Sequence, residues 1–449
     1  MRLPDKYLYG LYTGLFSLLG LVSLPFMALR VGARSRYQGT LAQRLGHIPK
    51  SICQDLEQNA CFWVHAVSVG EALAAQGLIE ALHRCFPGLR VVVSTVTKTG
   101  QQVVRDRLTC VDHLIYLPLD LPGIIERVVP CIRPRFVIIM ETELWPNLFH
   151  ALEKSAIPII LVNGRLSPRS FARYRRMAWA MGRFLQPVHL FCMQSPQDAD
   201  RMRQIHPSLS SPQTVSCDHQ PARPHLLVTG NLKYDQAMRL PTQTEMVALQ
   251  QRTGPTPPPI WLAASTHPGE ETLILDTFYA VRQHIADLRL ILVPRHPERA
   301  SLLDNTLTQK GFSFRLFSQT RGNWTEPVLL VDEIGWLTRL YGLAQIVFVG
   351  GSLIPHGGQN FLEPAAWGIP PIFGPHVFNF RDAARQILEA RAGFQVQDAV
   401  ALEKIVLHLL QNPSLCQETG QRAKNVVMTH AGALERTVQA IQATLRPFP

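Results

Sequence analysis

Short apolar runs rich in β-branched residues recur along the chain, separated by polar, helix-patterned stretches. The runs Phe62–Val67, Arg90–Thr95, His113–Leu117, Phe136–Met140, Ile157–Val162, Leu190–Met193 and Leu226–Val228 read as buried strands. Stretches such as Glu71–Cys85 and Thr99–Leu108 carry the helical period between them. This alternation predicts an α/β fold built on a doubly wound parallel sheet. A proline-rich stretch, Thr253–Pro259, interrupts the pattern. It resumes with Ile260–Ala264, Leu290–Val293, Val328–Val331 and Ile346–Val349, which predict a second α/β layer. Ligands of such sheets bind beyond the carboxyl ends of the strands, so the residues after each run hold the candidate chemistry.

The amino terminus departs from this pattern. Tyr7–Leu29 has no charged residue across 23 positions, enough to cross about 30 Å of hydrocarbon. Arg30, Arg34 and Arg36 follow it, and Arg2, Asp5 and Lys6 precede it. The excess of positive charge after the run predicts a membrane anchor with the catalytic body on the cytoplasmic side. Its glycines and Pro25 leave an interfacial helix as the alternative. At 449 residues the chain exceeds one hydrophobic core. The expected division is an anchor and basic flank over residues 1–36, a first domain over 37–245 and a second over 246–449.

Composition narrows the partners. A hydrophobic content of 46% against 17% charged excludes a disordered chain. The net charge of +11 points to an anionic partner; no nucleic-acid motif accompanies it, so nucleic acid is not expected. The eight cysteines show no CxxC and no metal-ligand spacing, and read as reduced core residues of a cytoplasmic protein.

Four places in the first half carry chemistry. In HAVSVGE, His65–Glu71, the carboxylate of Glu71 enters the turn after a strand. It can serve as general base on an alcohol, or merely complement a helix dipole. In METELWPN, Met140–Asn147, Glu141 and Glu143 follow a wholly apolar strand. In GNLKYD, Gly230–Asp235, Lys233 can face an anion or lie solvated at a linker. The arginines of Asn163–Phe184, Arg165 first among them, spread around a helix, which is either solvated or turned to an anionic membrane surface or a phosphorylated acceptor.

The second half has its own strand ends. ASTHPGEE, Ser265–Glu271, opens a helix with Thr266 as the expected cap. PRHPER brings Arg295 and His296 out of a strand, and DEIGW, Asp332–Trp336, follows another. VFVGGSLIPHGGQNFLEPAAWG, Val347–Gly368, is a strand, a glycine-rich loop and a helix start, a layout that binds phosphate. Asn360 and Glu363 there form a capping box, or Glu363 takes ribose hydroxyls; the two can coexist. Neither GxGxxG nor GxxxxGK[ST] occurs. The DxD at Asp198 and Asp200 reads as a first helical turn. No essential metal and no cofactor are expected, and phosphate charge falls to helix termini and basic side chains.

HAVSVGE, METELWPN, GNLKYD, ASTHPGEE, PRHPER and GGSLIPHGGQNFLEPA occur in this order over Phe62–Gly374. Together they closely resemble the 3-deoxy-D-manno-oct-2-ulosonic acid (Kdo) transferases that act on lipid A precursors. The resemblance implies a GT-B fold, two Rossmann-like domains facing across a cleft, the first for the acceptor and the second for the nucleotide sugar. It implies CMP-Kdo as donor, a phosphorylated lipid A precursor at the inner membrane as acceptor, and inverting, metal-independent transfer. By the motif match, Glu71 would be the proton acceptor, and Glu141 and Lys233 would stabilise the transition state. Arg295, His296, the turn Ile334, Gly335 and Trp336, and the segment Asn360, Phe361, Leu362 and Glu363 would hold CMP. Two motifs depart from the family pattern. Gln359 and Phe361 stand where the family commonly has His and Pro, and Trp336 stands where it usually has Glu. The alternatives are another nucleotide-sugar transferase or epimerase of the same fold, or a tethered nucleotide-binding module without activity.

Overall fold

All eleven apolar runs form strands. In the computed structural model, which describes residues 7–15, 17–18, 40–210, 225–255, 259–322 and 324–445, they lie in two wholly parallel seven-stranded sheets. The first holds β1 (Cys61–His65), β2 (Arg90–Thr95), β3 (His113–Tyr116), β4 (Pro134–Met140), β5 (Ile159–Gly164), β6 (Val188–Met193) and β7 (His225–Val228), in the order β3-β2-β1-β4-β5-β6-β7. The second holds β8 (Ile260–Thr266), β9 (Arg289–Pro294), β10 (Phe314–Leu316), β11 (Val328–Leu330), β12 (Ile346–Val349), β13 (Pro371–Phe373) and β14 (Phe394–Gln395), in the order β10-β11-β9-β8-β12-β13-β14. Strands β10, β13 and β14 were not legible as runs. They are two or three residues long, too short for a period to show.

Both faces of the first sheet are covered, which is why its strands are apolar throughout. Phe62, Val64, Val91, Val93, Ile138 and Val162 pack on one face. Trp63, Val92, Val137, Ile139, Ile159 and Leu161 pack on the other. The chain reverses its winding where β1 meets β4 and where β8 meets β12. Those are the switch points at which crevices open beyond the strand ends.

The division into units differs from the expected boundary at residue 245. The first unit runs to Gln236 and takes up the chain again at Gly432; the second is Ala237–Ala431. The returning helix, Ala433–Leu445, buries Val438, Ile441 and Leu445 in the same core as Val64 and Leu78. Asp235 accepts hydrogen bonds from the backbone N–H groups of Gly432 (2.8 Å) and Ala433 (3.0 Å) at its start. A carboxylate there also complements the helix dipole.

Two further expectations need correction. Cys53 and Cys131 form a disulfide, so the cysteines are not all reduced core residues. The two lie 78 residues apart, and only the packing of the helix Lys50–Gln58 on Pro122–Ile132 brings them together. The arginine-rich segment Asn163–Phe184 is not one helix. It ends β5 and then forms Pro168–Arg176 and Ala178–Leu185. Within the first of these, Arg169, Arg173 and Arg176 fall in one arc of about 60° at 3.6 residues per turn.

The uncharged amino-terminal run is described only to residue 18, and its basic flank lies outside the described residues. Residues 7–15 and 17–18 are helical. Leu8 is buried against Ala180 and Phe184, with Tyr9 and Tyr12 beside it. The Tyr12 hydroxyl donates to Asp120 (2.9 Å). Among the described residues no helix is long and apolar enough to cross a membrane.

Candidate active site

Glu71 sits at the carboxyl end of β1, beside the first switch point. Ser68 caps the helix Val69–Cys85 by accepting from the Glu71 N–H (3.3 Å). The carboxylate folds back over the same turn. It accepts from the Val67 N–H (2.8 Å) and from the Ser68 hydroxyl (2.9 Å). Only 7% of Glu71 is exposed. Burial pushes its pKa up to about 7 against the opposing Val67 hydrogen bond, and the charges of Glu141 and Glu143 add to the rise. The candidate base is therefore held by the capped turn itself, and is half ionised near neutral pH.

The neighbouring strands β4 and β5 end in the same unusual way. Met140 and Val162 are paired in register, and the next residue on each strand, Glu141 (φ 56°) and Asn163 (φ 58°), is left-handed. Non-glycine residues reach this region at a cost, and they cluster where function constrains the backbone. The turn aims Glu141 at Arg165, whose Nε donates to it at 2.9 Å. Thr142 ties the two strand ends, accepting from the Arg165 N–H (3.1 Å) and donating to its carbonyl (2.5 Å). Fully buried Asn163 accepts from the Leu232 N–H (3.1 Å), which fixes the helix Leu232–Ala237 that carries Lys233. Burial pushes the Lys233 ammonium down, while Glu141 and Glu71 act to raise it. Burial, then Glu141, raises the Glu143 carboxyl. Glu71, Glu141 and Lys233 thus stand close enough for their charges to act on one another.

In the second unit the pivot is Glu270, a residue given no role by the sequence reading. It is fully buried. Its Oε2 accepts from the N–H groups of Gly351 (2.6 Å) and His267 (3.2 Å), and its Oε1 from Ser352 (3.0 Å) and Leu353 (2.9 Å). One carboxylate therefore staples the loop after β12 to the loop after β8. Gly350 allows the approach. A Cβ there would lie 2.6 Å from the Ser265 carbonyl oxygen and 2.7 Å from the Thr266 Cα. Thr266 is not the expected helix cap. It still belongs to β8, and the helix Glu270–Arg282 starts after Gly269, whose φ of 94° makes the turn.

His267 completes this loop pair. Its ring lies 4.0 Å from that of His356 and 6.2 Å from that of His296. The Gln359 amide approaches its Nε2 at 3.0 Å. Burial pushes His267 down to about 4, and His356, His296, Arg295 and Arg299 reinforce the shift. The imidazole is therefore neutral at physiological pH, with Nε2 accepting from Gln359. Arg295 and His296 are exposed just beyond β9.

The helix after the glycine loop is short, Leu362–Ala366, and Phe361 precedes it as its cap residue. Asn360 does not close a capping box. Its Oδ1 accepts from the Leu362 N–H (3.2 Å) and its amide donates to Glu363 (3.0 Å). Glu363 is also hydrogen-bonded to Tyr341. Phe361 and Leu362 are fully buried, and Phe361 stacks on Phe373 at 4.6 Å. Their side chains serve the core, so a ligand meets them only through the backbone. In the turn after β11, Gly335 has φ 92° and Ile334 is 77% exposed. Trp336 lies against the guanidinium groups of Arg252 (5.0 Å) and Arg339 (4.8 Å). Two cations thus hold by cation–π contact a position where the family usually has an acid.

Comparison with known proteins decides the family. The family model of 3-deoxy-D-manno-octulosonic-acid transferase (kdotransferase) matches residues 39–236. The 3-deoxy-D-manno-octulosonic acid transferase of Haemophilus influenzae is 34% identical over 97% of this chain and 98% of its own length. The chain belongs to the Kdo transferase family. That of Bordetella pertussis is 32% identical over 85% of this chain and 86% of its own. The structure of UDP-GlcNAc 2-epimerase from Neisseria meningitidis bound to UDP-GlcNAc is similar at a TM-score of 0.55 and 13% identity, covering 86% of this chain and 99% of that one. The likeness extends to the fold alone, two parallel α/β units of GT-B type. The family match ends at the last residue of the first segment of the first unit, Gln236. The enzyme is a glycosyltransferase.

Sequence reasoning missed Asn163, Glu270 and His267 as site residues, although each lies in a motif it quoted. Positive-φ non-glycine residues leave no trace in a composition or a period. The one available signal was a polar residue ending an otherwise apolar strand, as Asn163 does after Val162.

Proposed function

We propose that this enzyme transfers Kdo from CMP-Kdo to a lipid A precursor, lipid IVA, in lipopolysaccharide core biosynthesis. Glu71 carries this reading: a buried carboxylate at the first switch point, with a pKa of about 7. It takes the proton of an acceptor hydroxyl as that oxygen bonds to the anomeric carbon of Kdo. The bond from that carbon to the CMP phosphate breaks, and the electron pair leaves with CMP. Attack opposite the leaving group inverts the centre. Lys233 and Glu141 supply fixed charge on the first unit. On the second unit, Arg295, His296 and the backbone of the glycine loop take up CMP and its charge, so that no metal is required. The test is incubation of the enzyme with CMP-Kdo and lipid IVA in EDTA, with mass spectrometry of the lipid. A Kdo-bearing lipid is expected; recovery of lipid IVA alone, with transfer restored by Mg²⁺, refutes metal independence, and no transfer under either condition refutes the reaction.

The same reading puts the enzyme on the cytoplasmic face of the inner membrane, held by its amino terminus. Tyr7, Leu11, Leu15 and Leu18 are each more than half exposed. Their spacing places them on one face of the helix, opposite the face that packs on Phe184. Met177 and Trp179 are exposed beside the arginine-rich helix. Such a surface suits the boundary between headgroups and acyl chains. Leu11→Asp with Leu15→Asp is expected to lower partition onto vesicles containing anionic phospholipid at least about tenfold, since each leucine contributes roughly 1.5–3 kcal/mol on burial. Unchanged co-sedimentation would remove the described helix from membrane binding.

A further inference from the structure

We infer that Arg165 is the acceptor-recognition residue of this site, a guanidinium fork that binds a phosphate group of the lipid. This rests on the reaction proposed above.

Arg165 is set apart from the other exposed arginines by how it is held. Thr142 fixes its backbone from both sides. The next residue is fixed as well: Leu166 donates to Asp198 (2.8 Å) and accepts from Arg201 (2.6 Å). The side chain then leans on Glu141 through Nε. Its two Nη groups meet no acceptor among the described residues, and 45% of the side chain is exposed. A guanidinium held at Nε, with both terminal amino groups open, is a preorganised two-pronged donor. Phosphate oxygens match that spacing.

Its position selects the acceptor as the ligand. Arg165 shares Glu141 with the cluster that contains Glu71, and its charge reaches Lys233. An anion on this fork therefore lies beside the hydroxyl that Glu71 deprotonates. Arg169, Arg173 and Arg176 continue the positive surface away from the cluster, and all are exposed. Glu141 has a structural use in this arrangement. Its carboxylate orients the fork and offsets one positive charge, so the fork binds by geometry as well as by charge.

The experiment uses the full-length enzyme, phosphorylated lipid IVA and the same lipid after phosphatase treatment. Transfer is measured as kcat and KM for each lipid, and lipid binding is measured separately by fluorescence without donor. Wild type is expected to lose roughly tenfold to a hundredfold in kcat/KM and in affinity when the phosphate is removed, the size of a charge-assisted bidentate contact. Arg165→Gln should suffer that loss on the phosphorylated lipid and no further loss on the dephosphorylated one. Arg165→Lys keeps the charge without the fork and should recover only part. The proposal fails if Arg165→Gln loses the same factor on both lipids, or if its defect is a raised KM for CMP-Kdo, which would give the fork to the donor carboxylate. It fails equally if wild type does not distinguish the two lipids, an arm that needs no folded variant. Phosphate-dependent binding without any transfer would instead refute the reaction while keeping the fork.

Discussion

Glu71→Gln is expected to lower the rate of Kdo transfer by roughly 10²–10⁴-fold, the usual contribution of a positioned general base. Glutamine keeps the length of the side chain: its oxygen can still accept from the Val67 N–H, and its NH2 can donate to the Ser68 hydroxyl in place of the bond the carboxylate accepts there at 2.9 Å. The helix start therefore survives, and CMP affinity should stay near that of wild type because the residues proposed to hold CMP belong to the other unit. The pH dependence follows from the sign of the shift. Burial raises the Glu71 carboxyl to about 7, so the basic form is present above that pH and is lost as pH falls through it. Wild-type kcat/KM should drop tenfold per unit on the acid side of about pH 7. A stopped assay across pH 5–9, with calorimetric titration of CMP into both proteins, measures these effects. A Glu71→Gln enzyme with near-normal turnover would leave Glu71 as a first-turn carboxylate that complements the helix dipole.

Glu270→Ala is expected to be the most destabilising single substitution in the second unit. The carboxylate is fully buried and accepts four backbone N–H groups from two loops. Alanine leaves those donors without a partner in a region closed to water, at a cost of about 3–5 kcal/mol. CMP binding should fall with it, since the glycine loop loses its tie to β8. The exposed pair Arg385–Glu389 provides the contrast, because its removal should give no measurable change. Urea unfolding of the two variants, followed by CMP titration at a temperature where both remain folded, compares them. An unchanged midpoint for Glu270→Ala would mean that the two loops are held by other contacts.

Much of the candidate site was legible because strand ends were legible. The apolar runs place Glu71, Glu141 and Arg295 just beyond strands, and doubly wound sheets put ligands there. The partners of those residues were not legible. Arg165 meets Glu141 because β4 and β5 are neighbours with Met140 opposite Val162. Gly351 meets Glu270 across 81 residues because β8 pairs with β12. Neither strand order nor register is written in the local period of a single strand.

The sequence by itself determined the two α/β layers, eleven of their fourteen strands, the carboxylates and cations at the strand ends, and the family. Each follows from local pattern or from motifs in order, which do not depend on what lies across the sheet. The tertiary structure alone decided the disulfide between Cys53 and Cys131, the return of Ala433–Leu445 to the first unit, and the left-handed Glu141 and Asn163. It also decided that Phe361 belongs to the core and that the Glu71 carboxylate folds back over the turn at the start of its own helix. These features depend on which surfaces meet when apolar area is buried and every enclosed N–H must find an acceptor. Residues far apart in the chain satisfy those demands jointly, so a reading of successive positions does not reach them.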